Sequence, residues 1–283
     1  MKVGIYTNIK KDKNLCLTKR IVDLLRKTGI EFSVYKDIAS GLSDVSTFDF
    51  KDPQHPDIMI TIGGDGTILG IIQYCATHSI PILGVNLGKL GFLTEIEAVN
   101  VDGIAEILKN GNFKIEKRTM LDAEVGGKKY SALNEIVVKR DNGGKMVLLD
   151  VYVNNDFLDN YYCDGYIVAT PTGSTAYSLS AGGSIISPLA NVLALTPISS
   201  HSLHSRPVVI SDEEEVTLVV KGDGNGASIV ADGGVCSSVG CGQKVHIKKS
   251  DKEALFMRVN GENFYSKLLD KLNSWSITEE GVK

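Results

Sequence analysis

The sequence predicts an α/β N-terminal domain built on a mainly parallel sheet, a β-rich C-terminal domain, and a last helix that returns to the first domain. Three observations predict it. In residues 1–111, short apolar runs alternate with segments of helical spacing. From residue 112 onwards, strand-like runs follow one another through glycine and asparagine turns. Between these, the run Ile58-Met59-Ile60-Thr61-Ile62 leads straight into Gly63-Gly64-Asp65-Gly66-Thr67 and a helical pattern. The expected divisions are 1–111, 112–254 and a C-terminal segment, 255–283, packing on the first domain.

Taken in order, Lys2 to Thr7 is a short apolar strand, and it does not read as a signal peptide. Leu17, Ile21, Leu24 and Leu25 fall at helical spacing, and Gly29 stops the helix. Glu31 to Tyr35 is a second strand. Residues 37–56 are polar, carry Pro53 and Pro56, and read as a surface loop. The Ile58 strand and its glycine turn are followed by a helix through about Ala76, a strand over Ile80 to Val85, and a short helix over Val101 to Leu108. In the β-rich part, strands are expected over Tyr130–Lys139, Met146–Val153, Tyr166–Ala169, Val216–Val220, Ala227–Ala231, Lys244–Lys248 and Leu255–Val259. Turns are expected at Asn142-Gly143-Gly144 and Asn154-Asn155-Asp156. Phe264, Leu268, Leu269 and Leu272 mark the final helix.

Composition narrows the function classes. The chain has 283 residues, 43% apolar and 23% charged, as soluble globular proteins do. No apolar run reaches the roughly 20 residues that span a bilayer, so no membrane partner is expected. A formal charge of −4 does not support a large nucleic-acid surface. The five cysteines, Cys16, Cys75, Cys163, Cys236 and Cys241, are scattered without a C-x-x-C pair. That usage suits a reducing cytoplasm rather than a structural zinc site.

The glycine turn carries the first chemical signal. A strand ending in glycines and opening a helix gathers backbone N–H groups suited to phosphate. It is neither the Walker pattern nor the spaced dinucleotide fingerprint. Asp65 would repel a phosphate, so it is expected to face a hydroxyl or a metal; the simpler reading makes it a helix N-cap. The second signal is the run Asp164 to Gly183, a strand entering a loop dense in hydroxyls and glycines. Such a loop offers many donors and little bulk, as a sugar or nucleotide site requires; the simpler reading is a Ser/Thr-rich surface loop.

Together, Gly63-Gly64-Asp65-Gly66-Thr67, Asn134-Glu135, Asp164-Gly165 and Pro171-Thr172-Gly173-Ser174-Thr175-Ala176-Tyr177-Ser178-Leu179-Ser180 resemble the NAD kinases over most of the chain. The Gly-Gly-Asp-Gly motif is shared with lipid kinases and phosphofructokinases; the longer run is the specific part. The resemblance implies transfer of a phosphoryl group from ATP to the adenosine-ribose 2′-hydroxyl of NAD. It implies Asp65 as general base, in keeping with a reaction that needs positioning more than covalent chemistry. It places phosphates, and so ATP, at Gly63, Gly64, Gly66 and Thr67. NAD contacts are implied for Asp65, Gly66, Asn134, Glu135, Tyr162, Asp164, Thr175, Ala176, Tyr177, Ser178, Leu179 and Ser180. Asparagine can read an adenine edge and a carboxylate can take a ribose hydroxyl.

Other positions stay open. Lys145 stands where many members carry a basic residue, but it also reads as a solvated turn lysine. Tyr177 can stack on a base or fill a core. His201, Ser202, Leu203, Arg206 and Pro207 resemble a His-Thr-Leu-x-x-Arg-Pro segment, with Ser202 in place of threonine. Arg206 can pair with phosphate or serve the fold. One departure is clear: Ala231-Asp232 is followed by Gly233-Gly234, where many bacterial members carry a glutamine shortly afterwards. No metal-ligand cluster is visible from spacing, and a divalent ion (Mg²⁺) is expected to arrive on the ATP phosphates. Family members are dimers or tetramers, so a homodimer or homotetramer is expected, with inorganic polyphosphate an alternative donor. Two rivals are a lipid or small-alcohol kinase, which needs an apolar acceptor pocket, and a non-catalytic dinucleotide sensor, which needs no base at residue 65.

Overall fold

The computed structural model describes residues 1–88, 91–141, 145–202, 204–221, 226–259 and 264–275. The expected Asn142-Gly143-Gly144 turn and Leu203 lie outside these residues. The chain divides into two compact units, Met1–Lys117 with Ala254–Lys283, and Arg118–Glu253.

The first unit begins with β1 (Lys2–Thr7), α1 (Cys16–Lys27), β2 (Glu31–Tyr35), β3 (Thr47–Phe48) and β4 (Ile58–Gly63). It continues through α2 (Asp65–Leu69), α3 (Ile72–Thr77), β5 (Ile82–Asn86), β6 (Ile96–Glu97) and α4 (Ile104–Asn110). The strand order is β3-β2-β1-β4-β5, all parallel. β4 and β5 are buried at every position, as the apolar runs of central parallel strands require. On α1, Leu17, Ile21, Val22 and Leu25 face this core. Its N-terminus is capped from outside the helix, where buried Asp12 accepts the N–H groups of Leu17 (3.0 Å) and Thr18 (2.9 Å). Gly29, at φ +70°, ends the turn that follows.

Two expectations in this unit need correction. The segment 37–56 is not all surface loop, since Ile38 and Phe48 are buried and β3 pairs with β2. Its polar residues conceal the few apolar ones that dock. The helix after the glycine turn is two helices, α2 and α3, with the break at Gly70-Ile71.

β7 (Lys114–Val125) leads from the first unit into the second, which continues with β8 (Lys128–Ala132), β9 (Glu135–Arg140), β10 (Val147–Val153), β11 (Asp156–Cys163) and β12 (Gly165–Ala169). After α5 (Tyr177–Ser180) come β13 (Val192–Ile198), β14 (Val208–Ser211), β15 (Val216–Lys221), β16 (Ala227–Ala231), β17 (Gly234–Val239) and β18 (Lys244–Arg258). One antiparallel sheet runs β14-β13-β12-β9-β16-β17. Facing it, β11-β10-β15-β18 are antiparallel and β7 pairs with β8. Alternate residues of both, among them Ile136, Val138, Tyr166, Val168, Leu149, Val151, Leu218 and Ile247, interleave as the core of a sandwich.

The opposite face of the six-stranded sheet is also covered. Val137, Ile167, Ala169, Ala194 and Val230 pack there with Ala181 and Ile186 of the loop after β12. A sheet buried on both faces explains the unbroken apolar runs of β9 and β12. The Asn154-Asn155 turn is present, with both residues at positive φ as a tight hairpin requires. Sequence spacing merged β8 with β9, split β18 in two, and passed over β7, β11, β13, β14 and β17.

β18 runs on into the first unit, where Phe256 pairs with Ile82 of β5, and α6 (Phe264–Trp275) follows. A buried ion cluster holds this return. Glu95 meets Arg258 (3.2 Å) and Lys267 (3.3 Å), and accepts the N–H of Val259 (2.9 Å); Arg258 also meets Glu116 (3.0 Å). Lys267 donates to the carbonyl of Thr94 as well (3.1 Å). Removing one partner of a buried cluster leaves the others uncompensated. Glu95→Gln is therefore expected to cost about 3 kcal/mol, seen as a lower denaturant midpoint with early proteolysis at α6.

Candidate active site

The sheet order of the first unit fixes where a ligand can enter. β1 connects to β2 on one side, whereas β4 lies on its other side. The order in which strands are added thus reverses between the parallel neighbours β1 and β4, and the crevice at their carboxyl ends is the binding place of such sheets. The loops after these strands are Asn8 to Leu15 and Gly63 to Thr67. They are tied together: the N–H of Asn8 reaches the carbonyl of Ile62 (2.9 Å), and Asn8 Nδ2 contacts Thr67 Oγ1 (3.5 Å). Thr67 Oγ1 also accepts the N–H of Gly64 (3.3 Å) and lies so near Gly63 that a Cβ there would overlap it. Gly66 is exposed and a Cβ there would meet open space.

Asp65 is not an N-cap. Gly64 is the capping residue of α2, and the Asp65 carboxylate turns to another loop. Its Oδ2 accepts the N–H of Phe92 (2.9 Å) and its Oδ1 that of Leu93 (3.2 Å). Gly91 lies against the same carboxylate, and any side chain there would displace it. The loop is itself secured, since Thr94 Oγ1 accepts the N–H of Gly91 (2.9 Å) and Glu95 is in the buried ion cluster. Asp65 thus has a set direction and oxygen lone pairs left over. Lys11 brings positive charge: its ammonium is 3.1 Å from where a Cβ of Gly64 would stand.

A second cluster forms in the other unit. Asn134 is not within a strand but between β8 and β9, and Glu135 opens β9. Gly173 packs directly on the Asn134 carbonyl, with no room for a Cβ. Glu135 is buried, accepts the N–H of Tyr177, and has Oε2 without a hydrogen-bond partner. Burial, and then the charge of Asp232, push its pKa up to about 7.

The hydroxyl-rich loop differs from expectation. Its hydroxyls hold the loop rather than line an opening. Thr170 Oγ1 donates to Leu133 O (2.6 Å), Ser174 Oγ donates to Pro171 O (2.6 Å), and Arg118 donates to Thr172 Oγ1 (3.1 Å). Ser178 is fully buried with its hydroxyl on Thr196 (3.0 Å). Thr175 Oγ1 donates to Thr172 O (3.2 Å). Ala176 and Leu179 are partly exposed, and Tyr177 and Ser180 are exposed. Tyr177 is therefore not a core aromatic. It lines an open recess of about 340 Å³ with Lys139, Arg140, Asp141, Asp164, Ile198 and Ser199. Asp164 is paired there with Arg140 (2.7 Å).

Tyr162 is exposed with its ring edge-on to His201 (6.1 Å). Lys145 is exposed, and Arg206 is exposed with Nη1 donating to Ser205 O (2.7 Å). Sequence reasoning missed Asn8, Lys11, Gly91–Leu93, Arg140 and Asp232. The basic run Lys10-Lys11 in the loop that follows β1, and the glycine at 91, were the available signals.

The two halves of the chain match two family models. Residues 3–113 match the ATP-NAD kinase N-terminal domain, and residues 133–259 match the ATP-NAD kinase C-terminal domain. An NAD kinase of Caldanaerobacter subterraneus subsp. tengcongensis is 40% identical over 278 residues, covering 96% of this chain and 98% of its own. One from Heliobacterium modesticaldum is 35% identical, covering 95% and 98%. The crystal structure of an NAD kinase from Archaeoglobus fulgidus in complex with ATP superposes with a TM-score of 0.76 at 28% identity, covering 97% of this chain and 99% of that one. Yeast NADH kinase complexed with NADH shares the fold, with a TM-score of 0.90 at 24% identity over 100% of this chain and 90% of that one. The class is a phosphotransferase with an alcohol acceptor. The chain belongs to the ATP-NAD kinase family, whose reaction moves a phosphoryl group from ATP to NAD.

The raised pKa of Glu135 has a stability signature. The folded state holds a proton that the unfolded chain releases above about 4.5, so this contribution is complete below that pH and lost as pH rises through about 7. Glu135→Gln, which cannot ionise, should melt higher than the wild type at pH 8.5. At pH 5 the gap should shrink or reverse in calorimetric scans.

Proposed function

We propose that Asp65 is the general base of this kinase and that the phosphoryl acceptor is the adenosine-ribose 2′-hydroxyl of NAD. The supporting observation is the seating of the Asp65 carboxylate, held by two backbone N–H groups at the reversal point of a parallel sheet. The 2′-oxygen attacks the γ-phosphorus of ATP, its proton passes to a carboxylate oxygen of Asp65, and ADP leaves. Fixing the carboxylate beforehand spares its reorganisation during the reaction.

The donor phosphates lie at Gly63, Gly64, Gly66 and Thr67, where small residues allow close approach. Lys11 adds the positive charge that phosphoryl transfer requires. Asn134 and Glu135 take the adenosine, and the backbone and exposed side chains of 175–180 line the dinucleotide with Tyr177 as a stacking surface. Asp164 and Tyr162 serve the nicotinamide side. Among the described residues no group of three or more His, Cys, Asp or Glu side chains is set to hold a metal ion. A divalent ion such as Mg²⁺ would be held mainly by ATP phosphates and water, with Asp65 as the nearby carboxylate. When bound, the ion neutralises phosphate charge. The enzyme works as a cytoplasmic homodimer or homotetramer. Among the described residues no helix is long and apolar enough to cross a membrane.

The direct test is a coupled NADP-formation assay with NAD, Mg²⁺ and ATP, and a parallel reaction with inorganic polyphosphate. NADP from ATP is expected; absence of product with both donors would overturn the reading. Asp65→Asn should bind NAD nearly as well in calorimetry while kcat falls about 10²–10⁴-fold. Lys11→Ala should raise KM for ATP about tenfold, the worth of one charge-assisted hydrogen bond, with KM for NAD little changed.

A further inference from the structure

Asp232 has no role in the reading above. It lies in the turn between β16 and β17 at φ +46°, and it is largely desolvated. Its carboxylate accepts three consecutive backbone N–H groups from a segment 97 to 99 residues away: Leu133 (2.7 Å), Asn134 (2.7 Å) and Glu135 (3.3 Å). The other edge of that segment is held too, because the N–H of Thr170 reaches Asn134 O (2.8 Å) and its hydroxyl reaches Leu133 O (2.6 Å). The backbone that presents Asn134 and Glu135 is thus gripped from both sides.

The buried carboxyl of Glu135 and the half-buried carboxylate of Asp232 adjoin. Asp232 receives three N–H donors, whereas Glu135 receives one, from Tyr177, and has Oε2 unpartnered. Burial disfavours both charges, and donors restore the charge where they are most numerous. The proton therefore settles on Glu135. The charged group that acts on it is Asp232, from the β16–β17 turn.

We propose that Asp232 is the positioning residue of the Asn134–Glu135 pair: it sets the backbone from which both side chains project, and it keeps Glu135 in its neutral acid form. A neutral carboxyl both donates and accepts a hydrogen bond, as a sugar hydroxyl does, whereas a carboxylate only accepts. The upward shift of the Glu135 pKa, from burial first and Asp232 second, agrees with this. The inference rests on the reading of this cluster as the NAD site.

NAD binding is measured by calorimetry from pH 5.5 to 9 for the wild type, Asp232→Asn and Glu135→Gln, with ATP binding in parallel and melting curves for each. In the wild type, NAD affinity is expected to fall as pH rises through neutrality. In Glu135→Gln that dependence should vanish. In Asp232→Asn, NAD affinity at pH 6 should fall about tenfold, the worth of a charge-assisted hydrogen bond. ATP affinity should be unchanged there, and the midpoint of the pH dependence should move to lower pH. A purely structural aspartate would weaken both nucleotides together and leave the midpoint where it was, which overturns the proposal. So does a pH dependence that survives in Glu135→Gln, which keeps the test decisive should Asp232→Asn fail to fold. Wild-type protein that neither binds NAD nor forms NADP overturns the NAD reading itself, an outcome distinct from NADP formation with pH-independent NAD affinity.

Discussion

Irregular backbone at the ends of strands is buried in both units, and each N–H and C=O there must find a partner without a helix or ladder to supply it. Side-chain oxygens meet that demand. Asp65 takes the N–H groups of Phe92 and Leu93, Thr94 that of Gly91, Thr67 that of Gly64, and Asp232 those of residues 133–135. Because short carboxylates and hydroxyls have little freedom, the loops they satisfy are held in one shape. Preorganisation of the site and solubility of its backbone in the interior are therefore one and the same arrangement.

This explains a division of labour among the polar residues. In the second unit, the hydroxyls of Thr170, Ser174 and Ser178 are buried and serve the loop that covers the outer face of the six-stranded sheet. Groups that remain for a ligand are those left partly exposed or unpartnered, such as Asn134, Tyr177 and Glu135 Oε2. In the first unit the same logic extends to the end of the chain. Lys267 on α6 and Arg258 on β18 neutralise Glu95, adjacent to Thr94, which anchors the loop seating Asp65. A helix remote in sequence thus contributes to the direction of one carboxylate.

Much of this was legible in the sequence. Alternation of β-prone and helical runs identified the parallel sheet, since its strands are short and its central ones, β4 and β5, are buried at every position. The Gly63 to Thr67 run announced itself, because glycines between a strand and a helix have few other uses. The Asn-Asn hairpin and the ends of β1, β2 and β16 were equally clear. Strands such as β11 and β17 were hidden because they lie at sheet edges, where exposed polar residues dilute the alternation. The two segments of β18 were read apart since Ser250 to Glu253 interrupt the apolar pattern without interrupting the strand.

By itself the sequence determined the fold class, the family resemblance and the residue types of the site, because these depend on local periodicity and on short motifs. Only the tertiary structure decided what each polar group does. The sequence left Asp65 between a ligand-facing carboxylate and a helix cap, and in the fold it takes the N–H groups of Phe92 and Leu93; Asp232, which the sequence marked only by the glycines that follow it, takes three N–H groups from another strand end. Such roles rest on hydrogen bonds between residues 27 to 99 positions apart, which no local pattern encodes. A carboxylate's charge state likewise depends on how much water it loses and how many donors it gains, and both are set only when the chain has packed.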